Sequence, residues 1–246
     1  TNYVTVNDLA NVLLACGGSP IMSDDIDDVE DITSICGGLN INIGTLNKNT
    51  IPSMFAAGKK ANELGHVTLL DPVGAGASKL RTETANKLIE EVKFDVIRGN
   101  ISEIQFLGGL DVNGKGVDSF DDGSDSTHIV ESVAKKLECV VVASGKIDLI
   151  SDGETTYKIQ NGSSKLKFIT GTGCMSTSLI GSFLPCADNI IDAAVMGTLA
   201  MSISGEIADK ENPAIGTYKT LLFDNLFLLN KETLETYARV DIKGIN

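Results

Sequence analysis

Three glycine-bearing stretches of the chain combine residue types that can handle an anion. The first, Asp71-Pro72-Val73-Gly74-Ala75-Gly76-Ala77, sets a carboxylate at a strand end, followed by glycines that let backbone approach a ligand. No Gly-Lys-Ser/Thr follows it, so it is not a Walker A loop, and the third glycine of the dinucleotide fingerprint is missing. A tight β-to-α turn would use the same residues. The second, Arg98-Gly99-Asn100-Ile101-Ser102-Glu103, offers a guanidinium able to grip a phosphate through two parallel hydrogen bonds. Asn100 and Glu103 stand three apart at a helix start, where an amide and a carboxylate can hold a hydrated Mg²⁺. The same pair also makes an ordinary capped start of the capping-box kind.

The third stretch, Thr170-Gly171-Thr172-Gly173-Cys174-Met175-Ser176-Thr177, opens a helix rich in small residues. Free backbone N–H groups at a helix start, with glycines allowing close approach, form an anion hole. Such a hole suits the charge that spreads over a transferring phosphoryl group. Cys174 falls in the first turn, where the helix dipole favours thiolate, and is a candidate acceptor of a substrate hydroxyl proton. A small buried cysteine chosen for packing is the alternative. One such loop is weak evidence. Carboxylate, guanidinium and anion hole together point to transfer of the terminal phosphate of ATP onto a hydroxyl of a small metabolite.

The elements that must position these loops alternate between buried runs and helical periods. Thr5 to Cys16 predicts a helix ended by Gly17-Gly18, Ser19 to Ser23 a short strand, and Asp24 to Cys36 an acidic helix. Strands are expected at Leu39 to Ile43, Val67 to Asp71, Phe94 to Ile97 and Val140 to Ala143. Further strand-like pieces stand at Asp148 to Ser151, Thr155 to Gln160 and Leu166 to Ile169. Met54, Ala57, Ala61 and Leu64 keep helical spacing, as do Ala85, Leu88, Ile89 and Val92, and Ile129 to Leu137 makes another helix. Asp111 to Ser126 is glycine- and aspartate-rich and predicts an exposed loop, and after Gly173 the chain is mostly helical through Tyr237. No linker or repeat divides the chain, so residues 1–246 are expected to form one doubly wound α/β domain with helices on both faces of a mostly parallel sheet.

Composition narrows the partners. The net charge of −13, without a Lys/Arg cluster, excludes a phosphate-backbone partner, so no nucleic acid is expected. An anionic substrate then needs locally placed donors and a metal ion. No apolar run reaches the roughly 18 residues of a membrane span, and no signal peptide opens the chain. Five cysteines, none spaced C-x-x-C, and only two histidines argue against a disulfide framework or a zinc site and for the cytoplasm. Cys16, Cys36, Cys139 and Cys186 read as core or incidental.

DPVGAGASKLRT at 71–82, VIRGNISEI at 96–104 and ITGTGCMSTSLIGSF at 169–183 together resemble the hydroxyethylthiazole kinases of the ribokinase-like superfamily. TNYVTVND at 1–8, GGSPIM at 17–22, LNINIGTL at 39–46, GVD at 116–118 and the Gly-x-x-Asp segment within 143–148 extend the resemblance over the whole chain. It implies a three-layer α/β/α sandwich, ATP- and Mg²⁺-dependent phosphorylation of 4-methyl-5-(2-hydroxyethyl)thiazole in thiamine salvage, and a homotrimer with active sites at the interfaces. By motif, Met22, Gly171, Asn2 and Gly44 would line the thiazole pocket. Arg98, Ser144, Thr172 and Gly173 would bind ATP, Asp71 and Glu103 would serve the metal, and Cys174 would hold the catalytic base position. Ser144 stands where the family usually has Thr, which keeps the hydroxyl. Family members carry some twenty residues before the Thr-Asn pair, so an incomplete N-terminal segment is expected. The same fold also serves kinases of hydroxymethylpyrimidine or pyridoxal, a nucleotide-dependent NAD(P)H-hydrate dehydratase, and silent ligand-binding homologues.

Overall fold

The computed structural model describes residues 2–110 and 124–244. Among the described residues seven strands form one sheet in consecutive order: β1 (Gly38–Asn42), β2 (Val67–Asp71), β3 (Val96–Asn100), β4 (Val140–Ser144), β5 (Asp148–Ser151), β6 (Thr156–Ile159) and β7 (Val240–Lys243). The first four are parallel and the last three pair antiparallel, so the sheet is mixed.

Alternation along the parallel strands sorts their side chains to two faces. Leu70, Ile97, Val141 and Ala143 point to one core, with α3 (Thr50–Leu64), α4 (Lys79–Glu91), α5 (Ile101–Leu107) and α6 (Ser124–Leu137) packed over them. Leu69, Val96, Val140 and Val142 point to the other, covered by α7 (Thr172–Phe183) and α8 (Ile190–Ala208). Behind these, α1 (Val6–Ala15) and α9 (Ile215–Leu228) close a third cluster around Met175 and Tyr218. The three layers are as expected, but the winding differs. A consecutive strand order puts all the crossover helices of the parallel half on one face, and the helices after residue 171 cover the other.

The helix that would present Cys174 is held tightly. Along α7, Cys174 to Ile180 are all buried, which suits a helix enclosed on every side. It can lie against α8 because residue 197 is glycine: a Cβ there would sit 2.4 Å from the Ile180 Cα. By length and mean hydropathy α8 could cross a membrane, although Asp192, Ser202, Ser204 and Glu206 interrupt its apolar run. Within this fold it is a core helix, with 72% of its apolar window buried.

Four local expectations differ. Residues 19–23 form no strand: Pro20 lacks the N–H a ladder needs, and the segment instead walls a cavity. The acidic helix shortens to α2 (Val29–Ile35). Leu166 to Ile169 lies largely in a 3₁₀ helix, Ser164–Phe168, started by the Ser163 hydroxyl accepting from the Lys165 N–H. The third strand begins later than expected and runs through Arg98 to Asn100, paired residue for residue with β4. Residues 111–123 of the expected loop lie outside the described residues, and from Ser124 the chain is helical.

Candidate active site

Asn42, Asp71, Asn100 and Ser144 end the four parallel strands, so the three chemically loaded stretches meet at one edge of the sheet. Arg98 lies on the same face of β3 as Val96, directed at α7. A Cβ on Gly173 would sit 2.7 Å from the Arg98 Nη1, so the guanidinium lies against the first turn of that helix. Among the described residues the buried Arg98 Nε has no hydrogen-bond partner, a donor available to a ligand oxygen. Gly171 caps α7 at φ +83°, and a Cβ there would also collide with Thr5. Only glycine meets both demands.

Asp71 is 1% exposed and ties the edge together. Its Oδ2 accepts from Asn42 Nδ2 at 2.8 Å and from Thr177 Oγ1 at 2.9 Å. Burial pushes the carboxyl up to about 6, against the pull of Arg98 and the Thr177 hydrogen bond, and the Glu103 charge adds to the push. Glu103 is oriented by backbone. Its Oε1 accepts from the Gly74 N–H at 2.7 Å and its Oε2 from the Asn100 N–H at 2.8 Å, completing the capping box. The capping account of Glu103 therefore holds, and the same carboxylate reaches across to the turn after β2. Two neighbouring carboxylates, one of them made uncomfortable by burial, suit a hydrated Mg²⁺ with few protein ligands.

Cys174 is 8% exposed, and the Asn2 Nδ2 reaches its Sγ at 3.6 Å. Burial, then the charge of Asp71, pushes the thiol up to about 11, over the opposing effects of Asn42 and Arg98. The helix N-terminus does not make a thiolate here, contrary to the sequence expectation, because desolvation and a neighbouring carboxylate outweigh it. Gly44 belongs to the same corner: a Cβ there would fall 2.2 Å from the Asn2 amide.

The Ser144 hydroxyl donates to the Gly99 carbonyl at 3.3 Å, beside the Arg98 corner. The Thr172 hydroxyl turns back to the Leu166 carbonyl at 3.0 Å, so what it leaves towards the site is backbone. Met22 is not brought to Cys174. It lines an apolar cavity of about 530 Å³ on the outer side of β1, with Leu13, Ile32, Leu39 and Pro185. Asn42 and Thr177, which the sequence did not single out, join this corner, and Asp148 was legible only as the end of the Gly-x-x-Asp segment. Asp148 is half-buried, accepts from the Gly145 N–H and the Ser202 hydroxyl, and feels the Arg98 charge. A polar residue at the inner end of a strand, and a hydroxyl one turn after Cys174, were the signals available for the first two.

A three-layer α/β/α sandwich of this kind is the fold of the ribokinase-like enzymes. A pyridoxal kinase from Staphylococcus aureus, solved with pyridoxal, shares the fold at a TM-score of 0.62 and 17% identity, over 98% of this chain and 93% of that one. The family model described as the hydroxyethylthiazole kinase family matches residues 1–232, and the chain belongs to that family. A hydroxyethylthiazole kinase of Clostridioides difficile is 52% identical over 98% of this chain and 92% of the relative, and one of Alkaliphilus oremlandii is 49% identical over 98% and 90%. The solved hydroxyethylthiazole kinase protein of Pyrococcus horikoshii superposes with a TM-score of 0.91 at 33% identity, over 98% and 91% of the two chains.

Proposed function

We propose that residues 1–246 form one kinase domain that transfers the terminal phosphoryl group of ATP to the hydroxyl of 4-methyl-5-(2-hydroxyethyl)thiazole. The observation that carries this reading is the Arg98 guanidinium lying against Gly173 at the start of α7, one turn from the Thr177–Asp71 hydrogen bond. Donors for a phosphate and carboxylates for its metal then share one corner with Cys174. Arg98 and the N–H groups of residues 172–174 grip the phosphates and meet the charge on the moving group. Asp71 and Glu103 would hold Mg²⁺, which when bound neutralises phosphate charge. Asn2, Gly44 and Gly171 shape the acceptor side, and Ser144 borders the nucleotide.

Cys174 stands where the substrate hydroxyl must lose its proton. As a neutral thiol it takes that proton only as its own passes to the Asp71 carboxylate hydrogen-bonded to it, so its role is to relay and to orient. Since the transition state is loose, positioning contributes more to the rate than basicity does. Met22 joins the thiazole pocket only if a neighbouring copy supplies it, which supports a homotrimer with shared sites. Five free cysteines support a cytoplasmic enzyme.

Mass spectrometry of the thiazole incubated with the protein, ATP and Mg²⁺, beside hydroxymethylpyrimidine and pyridoxal, tests the substrate. The thiazole monophosphate should form fastest. Faster phosphorylation of either other acceptor would overturn the assignment.

A further inference from the structure

Arg81 lies outside every role assigned so far, yet it touches both loops that shape the site. It is the third residue of α4, and its own N–H is capped by the Ser78 hydroxyl. Its side chain crosses the mouth of the parallel strands. Nη1 donates to the Ile43 carbonyl at 2.8 Å and to the Val73 carbonyl at 2.5 Å, and Nη2 donates to the Gly44 carbonyl at 2.7 Å. One planar fork thus ties the loop after β1 to the turn after β2. Its methylenes cover Gly74, where a Cβ would sit 3.1 Å from the Arg81 Cδ and where φ is +71°.

Each loop that Arg81 holds goes on to orient a group of the proposed site. The Gly74 N–H fixes Glu103 Oε1. The Gly44 N–H, at 2.9 Å, fixes Asn42 Oδ1, whose amide nitrogen holds Asp71. The bare α-carbon of Gly44 makes room for the Asn2 amide that reaches Cys174. We propose that Arg81 is a positioning residue for phosphoryl transfer, locking the Ile43–Gly44 loop to the Val73–Gly74 turn so that Asp71, Glu103 and Cys174 share one geometry. It touches no reacting atom. A lysine cannot replace it, because a single ammonium lacks the rigid fork that spans three carbonyls.

This inference rests on the proposed kinase reading, and its test separates the two. Arg81→Ala is compared with wild type for kcat and both KM values, melting temperature, calorimetric affinity for ADP with Mg²⁺, and rescue by added guanidinium ion. We expect kcat to fall about 10²-fold, the usual cost of an ångström-scale misplacement. The thiazole KM should change less than about threefold, ADP–Mg²⁺ affinity should fall about tenfold, and guanidinium should restore at least about a tenth of the lost rate. A kcat within about threefold of wild type, or a loss that guanidinium leaves untouched, would overturn the proposal, since a purely structural staple would lower the melting temperature alone. Should Arg81→Ala not fold, Arg81→Lys takes its place. Its kcat should drop about tenfold with an unchanged melting temperature, and full activity would overturn the proposal. If wild type phosphorylates no thiazole, the kinase reading fails by itself. Arg81 is then judged on ADP–Mg²⁺ affinity: a loss of about tenfold that guanidinium reverses supports it, and unchanged affinity sinks it.

Discussion

The two ends of α7 face opposite kinds of space. Its first turn meets a buried polar corner, where Asp71, Asn42, Thr177 and Asn2 hold one another and Cys174 through hydrogen bonds. Its last turns, through Ser178, Gly181 and Ser182, wall the apolar cavity that contains Met22 and runs along the free edge of β1. The polar corner is assembled within one chain, with most of its groups already oriented. The cavity offers apolar surface and few fixed donors. Charge transfer needs preorganised dipoles, whereas a thiazole ring needs chiefly a wall to lie on. On the proposed reading the first turn of α7 serves the rate, and the apolar end serves recognition only through a neighbouring copy.

Substitutions at the two ends should separate in kind as well as size. Cys174→Ala should lower turnover about 10²- to 10⁴-fold with little change in thiazole KM, and Cys174→Asp should keep much more activity. Normal turnover by the Ala variant in steady-state assays would remove any proton role for Cys174. The Asp71 carboxyl gives a second handle, in the metal-free protein. Its pKa in the fold is raised from 3.8 to about 6 by burial, so its contribution to stability is present below about pH 4 and is lost as pH rises through 6. Asp71→Asn should therefore gain stability relative to wild type across that window, by up to about 3 kcal/mol, and the gain should level off above it. Denaturant melts at pH 4, 5, 6 and 7 check this, and a pH-independent difference would contradict it.

Arg98→Ala should raise the ATP KM by roughly 10- to 100-fold, the scale of a lost charge-assisted hydrogen bond or two. Unchanged ATP kinetics would take Arg98 out of the site. The smallest effect belongs to the apolar end: Met22→Ala should raise thiazole KM about tenfold, leaving kcat and ATP KM alone. Light scattering on the same samples sharpens the contrast. A trimer in which Met22→Ala changes only thiazole KM fits the shared pocket, and a monomer with full activity would break it.

Much of the parallel half of the fold was legible in the sequence. Val67 to Asp71 is a strand with those bounds, because a short run from Val67 to Leu70 ends at an acid and a glycine turn. The glycine-rich starts at Asp71, Arg98 and Gly171 were legible too, since each needs residue types that packing alone does not demand. What escaped depends on partners distant in sequence. β7, Val240–Lys243, is mostly exposed and becomes a strand by pairing with β6 at Thr156–Ile159. Arg81 looked like any helix-surface arginine, and its importance lies in carbonyls 37 and 38 residues earlier. The Cys174 thiol was misjudged for the same reason. Its local helix start argued for a thiolate, and the buried acid beside it comes from residue 71.

The most direct test follows ADP and thiazole monophosphate together, for wild type and Arg98→Ala, at limiting ATP. The account predicts one monophosphate for each ADP in the wild type and a strongly reduced yield of both in the variant, recovered at high ATP. ADP appearing with free phosphate while the thiazole stays unmodified would contradict it.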